Sequence, residues 1–242
     1  MNNTRRIKAF IGAMMLAAVS ATGYAGFASH ALHMYFALAV LALAMATSRM
    51  KVKLPGINGS MSVNLPFLLT AVTNLSAAEA IAITCISTVV QCWPQKNGKF
   101  KPEQMAFNIS MMAFASCLAS LMFHAEWLRG MQSSFSTLGL VLATVTLFLG
   151  QTAPVATIVA LSEGKAAGQI WRSLAHLSFP YYVISAGVTS MVQTVGSHMG
   201  WGLALAVFPV MYAIHRSYKT YFAPLAETPR PELRARAAAA GA

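Results

Sequence analysis

Aspartate is absent from the sequence, and six glutamates are the only acidic residues set against 17 lysines and arginines. Without aspartate, chemistries that need paired carboxylates have little material, and no GxSxG, P-loop, HExxH or DxD pattern supplies another catalytic device. Charge of either sign is scarce. Only 10% of residues are charged, where a soluble globular domain carries roughly 25%. An ordinary cytosolic globule is therefore excluded. Cysteine is scarce too: Cys85, Cys92 and Cys117 form no CxxC and no even-numbered framework, so they read as small buried hydrophobes rather than a disulfide or thiolate metal site.

What is present is long apolar sequence. The chain is 57% hydrophobic with a mean hydropathy of +0.58. Eight apolar runs cover residues 8–24, 34–47, 61–74, 76–93, 104–123, 135–161, 174–195 and 201–218. This pattern predicts an all-α, polytopic transmembrane bundle of about eight segments, occupying residues 1–222 as a single domain, with a disordered cytoplasmic tail at 223–242. The first run has the basic start and small-residue end of a signal peptide, but its context favours retention as a first membrane helix. With the N-terminus inside, every cation except Arg129 falls on the inner face, which also puts the C-terminus inside. That clustering between apolar runs accounts for the net charge of +11 without nucleic acid. Trp93, Trp127, Trp171 and Trp201 fall near predicted helix ends, as interface anchors do.

One stretch breaks the series. Residues 48–75 open with Arg49, Lys51 and Lys53, turn at Pro55-Gly56 and Asn58-Gly59, and re-enter apolar sequence for only about 14 residues, short of the ~20 a simple spanning helix needs. A short, polar-tipped segment survives at membrane depth only if other helices or a water-filled cavity surround it. The next run begins with Ser76-Ala-Ala-Glu79, a capping box.

Two constellations are candidates for chemistry. Polar residues at membrane depth suggest a small-molecule pocket walled by Gly56, Asn58, Ser62 and Asn64, with Asn108 and an interruption of the sixth run at Gln151, Thr152 and Pro154. Amides in hydrocarbon need partners, so these residues should face one another or a cavity, and structural bonding between helices is the competing reading. At the outer face His30, His33, His124 and Glu126 are metal-ligand types, with interface packing as the plainer role. The Glu163-Gly164-Lys165 stretch reads as a solvated turn.

TSRMKVKLPGINGSMSVNLPFLL, QCWPQKNGKFKPEQMAFNIS, VALSEGKAAGQIWRS, SFPYY and FPVMYAIHRSYKTYF together resemble the N-terminal integral-membrane (MASE-type) sensor domain of bacterial signalling proteins. In that family the membrane domain precedes an HD-GYP phosphohydrolase or diguanylate cyclase domain, whereas this sequence has only about 20 residues after Phe222. The resemblance implies a non-enzymatic sensor or ligand-binding module in a bacterial inner membrane. Its partners would be membrane lipids, a small-molecule ligand of undefined identity, and a cytoplasmic signalling partner or a second copy of itself. A small membrane transporter or its substrate-binding component is the alternative, and a metal-dependent membrane enzyme a third. No cofactor is indicated.

Overall fold

The computed structural model describes residues 3–28, 34–53, 60–94, 100–129 and 135–199, with isolated positions between 209 and 220. Helices α1 (Asn3–Ala28) and α2 (Met34–Ser48) precede a hairpin of β1 (Lys51–Lys53) and β2 (Ser60–Ser62). Then come α3 (Leu65–Asn74), α4 (Ala77–Cys92), α5 (Pro102–Phe123), the short α6 (Glu126–Arg129), α7 (Phe135–Glu163) and α8 (Ala167–Met199). Among the described residues the fold is all-helical apart from that hairpin. Among the described residues, three helices are long and apolar enough to cross a membrane: residues 3–27, 102–123 and 137–163. Seven of the eight expected runs correspond to helices. The eighth, at 201–218, lies almost wholly outside the described residues.

The centre of the molecule is α3. Its residues from Leu65 to Thr73 are all buried, and it packs against α2, α4, α5, α7 and α8. Encirclement is what a short apolar helix with a polar start requires, since its first free amides cannot face lipid. The helix is shorter than the sequence run, because Met61 and Ser62 pair in the hairpin, with Ser62 opposite Lys51. Ten residues rise about 15 Å, half the thickness of a ~30 Å hydrocarbon core. The hairpin is tied to the end of α2: Ser62 Oγ donates to the Ser48 carbonyl at 2.8 Å, satisfying an acceptor that the helix terminus leaves free.

Local chemistry sets the neighbouring boundaries. Ser76 and Glu79 form the expected capping box: the Glu79 carboxylate accepts from the Ser76 amide at 3.0 Å, and Ser76 Oγ accepts from the Glu79 amide. Gly164, at φ +68°, turns α7 into α8, and Lys165 pairs with Glu163 at 2.7 Å on the exposed surface. The expected interruption at Gln151 and Pro154 does not occur. The helix α7 runs unbroken through Pro154, as α8 does through Pro180. Proline inside a membrane helix is tolerated where neighbouring groups satisfy the carbonyl it frees.

Side-chain pairs fix the helix directions. Lys8 with Glu103 (3.8 Å), Phe10 with Phe107 (6.0 Å) and Cys117 Sγ, which donates to the Ala21 carbonyl (3.5 Å), keep one register along α1 and α5, which therefore run parallel. Gly139 lies against Phe123 and Gly150 against Ala115, so α7 runs antiparallel to α5. The starts of α1 and α5 and the end of α7 thus share one end of the bundle.

Candidate functional site

At its start α3 has no side-chain cap, since Asn64 makes none, and Pro66 contributes no amide hydrogen. The missing partners come from α8. Tyr181 Oη accepts from the Leu65 amide at 3.2 Å and donates to the Ser62 carbonyl at 3.0 Å. Two turns on, Thr189 Oγ1 donates to the Pro66 carbonyl at 3.2 Å and to the Ser185 carbonyl at 2.9 Å. A single face of α8 therefore holds the first turn of α3 through buried hydroxyls.

The adjacent Tyr182 turns the other way, towards α7. Its hydroxyl donates to Gln151 Oε1 at 2.6 Å, and its ring stands edge-on to Phe148 at 5.1 Å. Thr152 Oγ1 donates to the Phe148 carbonyl and accepts from the Trp171 indole at 3.1 Å. The Tyr181–Tyr182 pair, 6.3 Å between ring centroids, thereby joins the α3 start to the Gln151 region. Among the described residues two buried polar atoms have no hydrogen-bond partner: Gln151 Nε2 at this junction, and Ser185 Oγ on α8. Ser185 lies one turn from Tyr182, on the same side of α8. None of the side chains at the junction carries a charge. An amide with its oxygen already occupied and two N–H donors free is a receptor for a carbonyl, hydroxyl or ether oxygen, or for water.

The expected pocket residues separate into groups. Gln151 and Thr152 belong to the junction. Ser62 is buried at its edge, bonded to the end of α2. Asn64 is also buried, 5% exposed, and the described residues provide no hydrogen-bond partner for its carboxamide. Asn108 lies elsewhere, half-buried between α4 and α5, where it donates to Cys92 Sγ at 3.3 Å. Gly56 and Asn58 lie outside the described residues. Among the described residues Gln151 and Asn108 do not pair with each other; their partners are Tyr182 and Cys92.

Of the metal candidates, His30 and His33 are outside the described residues. His124 is exposed at the C-cap of α5, edge-on to Phe123 at 5.0 Å, and Glu126 is exposed at the start of α6. Among the described residues no group of three or more His, Cys, Asp or Glu could hold a metal ion.

Sequence reasoning missed Tyr181, Tyr182, Ser185 and Thr189 as site residues, and did not foresee that the Trp171 indole bonds Thr152. Adjacent tyrosines beside Pro180, far from either end of a long helix, were the available signal, because a phenol at that depth needs a partner. The sequence matches no protein-family profile, and no curated protein or solved structure is similar to it.

Proposed function

We propose that the chain is a multi-pass protein of a bacterial inner membrane, with about eight segments and both termini cytoplasmic. It acts as a non-enzymatic sensor of the MASE type, binding a small uncharged molecule at the α3–α7–α8 junction. The observation that carries this reading is the buried Gln151 Nε2, which has no hydrogen-bond partner among the described residues. A buried donor without a partner costs roughly 1–3 kcal/mol, and a ligand oxygen would restore it. Because Tyr181 and Tyr182 are neighbours on one helix, a ligand at Gln151 bears on the contacts that hold the start of α3. Occupancy would then shift α8 against α3 and pass the change to the inner face through the last helix.

Native mass spectrometry of the purified chain in gentle detergent tests this. The wild type should retain a small molecule that is lost in Gln151→Leu and kept in Asn108→Leu, whose side chain lies away from the junction. Wild-type protein free of any small molecule, or retention unchanged by Gln151→Leu, would sink the proposal. A transporter is the second reading, favoured by the short enclosed α3 with its polar start. It requires the junction to open alternately to each side, which accessibility labelling at Thr152→Cys would detect.

A further inference from the structure

Two buried polar side chains, Ser185 and Asn64, take no part in holding a ligand at Gln151. The other buried hydroxyls of α8 are spent on the carbonyl one turn back: Ser178 donates to Leu174 at 2.7 Å and Thr189 to Ser185 at 2.9 Å. Ser185 is fully buried, yet its Oγ has no hydrogen-bond partner among the described residues. A helical serine has that carbonyl within reach, so this hydroxyl is turned away from it. Its neighbours set the direction. Tyr181, one turn before, bonds the Ser62 carbonyl and the Leu65 amide, and Thr189, one turn after, bonds the Pro66 carbonyl. Ser185 lies between the two, both along and around α8, and therefore faces residues 62–66. At the middle of that segment is Asn64, 5% exposed, whose side chain caps nothing.

The surroundings are electropositive. The start of the ten-residue α3 is the positive end of a helix dipole, equivalent to roughly half a charge. Val63 donates to the Met50 carbonyl at 3.2 Å, which carries Arg49 and Lys51, on either side of Met50, up to the residue before Asn64. The described glutamates all lie on other elements, and Glu79, the nearest in sequence, is beyond the far end of α3. The first amides of α3 are already used, Leu65 by Tyr181 and Phe67 and Leu68 by the Asn64 carbonyl. The donors left over are the Ser185 hydroxyl and the Asn64 amide.

We infer that the start of α3 binds one monovalent anion of halide size, held by Ser185 Oγ–H and Asn64 Nδ2–H at the positive end of the helix. The dipole and the basic residues beside it select against a cation. Neutral donors with a partial charge suit a single negative charge, whereas a divalent sulfate or phosphate costs far more to remove from water. The site faces α3 and uses neither Gln151 nor Tyr182, so it stands whether or not an uncharged ligand binds there.

The test is equilibrium dialysis of the full chain in detergent against radiolabelled chloride, with sodium gluconate as the background salt. Wild type should bind one chloride per chain, displaced by bromide and not by sulfate. Ser185→Ala and Asn64→Ala should each weaken binding by at least about tenfold, the loss of one hydrogen bond to a charged partner. Neither variant removes a described hydrogen bond of its side chain, so both should fold. Thr194→Val, at an exposed position further along α8, should bind chloride as wild type does. No saturable chloride binding, as a buried water in its place would give, overturns the inference. So does binding that both alanine variants keep, or displacement by sulfate as effective as by bromide. Should the variants fail to fold, crystals of wild type grown in bromide decide. An anomalous peak between Ser185 Oγ and Asn64 supports the site, and bromide found only elsewhere refutes it.

Discussion

Tyr181 is the residue on which the centre of the molecule turns, because one phenol replaces both a cap and a turn bond at the start of α3. Its oxygen serves the Leu65 amide and the Ser62 carbonyl at once. Removing it strands the Leu65 N–H in a place no water reaches, which costs about 1–3 kcal/mol. Tyr181→Phe should therefore lower the thermal midpoint in detergent clearly. Tyr35→Phe, at a position 86% exposed, should stay within about 0.5 kcal/mol of wild type. Equal midpoints for the two variants would show that the phenol bridge does not hold α3. The neighbouring Tyr182 makes only the bond to Gln151 Oε1 among the described hydrogen bonds, so of the two adjacent tyrosines one braces the start of α3 and the other braces Gln151 on α7.

Among elements, α7 packs tightly on α5 at Gly150. A Cβ there would lie 2.8 Å from Ala115 Cβ and 3.3 Å from its Cα, and backbone cannot move aside as a flexible side chain can. Gly150→Ala should destabilise by roughly 1–3 kcal/mol through overpacking, despite the ~1 kcal/mol of helix propensity that alanine adds. Gly187→Ala, with open space around its Cβ, should hold or raise the midpoint. Paired thermal melts decide this, and a Gly150→Ala midpoint at or above that of wild type refutes the close approach. Elements whose causes are local were legible in the sequence: the Ser76–Glu79 box, the Gly164 turn and the need to enclose a short polar-tipped segment. What depends on a distant partner was not. Gln151 was identified as a polar group at depth, but its neighbour Tyr182 is 31 positions away, and periodicity carries no information about which helix that neighbour occupies. Pro154 misled for the same reason, since whether proline breaks a helix depends on what surrounds it.

For the whole molecule, the helix directions and the cations agree. The parallel register of α1 with α5 and the antiparallel run of α7 place Arg5, Arg6, Lys8, Lys101 and Lys165 at one end of the bundle. His124 and Glu126 lie at the other end. The positive-inside rule then predicts that the cationic end faces the cytoplasm. With 22 residues, α5 rises about 33 Å, enough to cross a ~30 Å core, so its two ends are natural reporters. In a background with Cys85, Cys92 and Cys117 replaced by alanine, an impermeant maleimide applied to intact cells should label His124→Cys. Under the same conditions Glu103→Cys and Lys165→Cys should stay unlabelled until the membrane is permeabilised. Because α7 is antiparallel to α5, Glu103→Cys and Lys165→Cys must behave alike, whichever way the protein is inserted. A reversed pattern would invert the orientation but preserve the bundle. Labelling of both ends of α5 from outside would show that it does not cross, and a split between Glu103→Cys and Lys165→Cys would contradict the helix directions themselves.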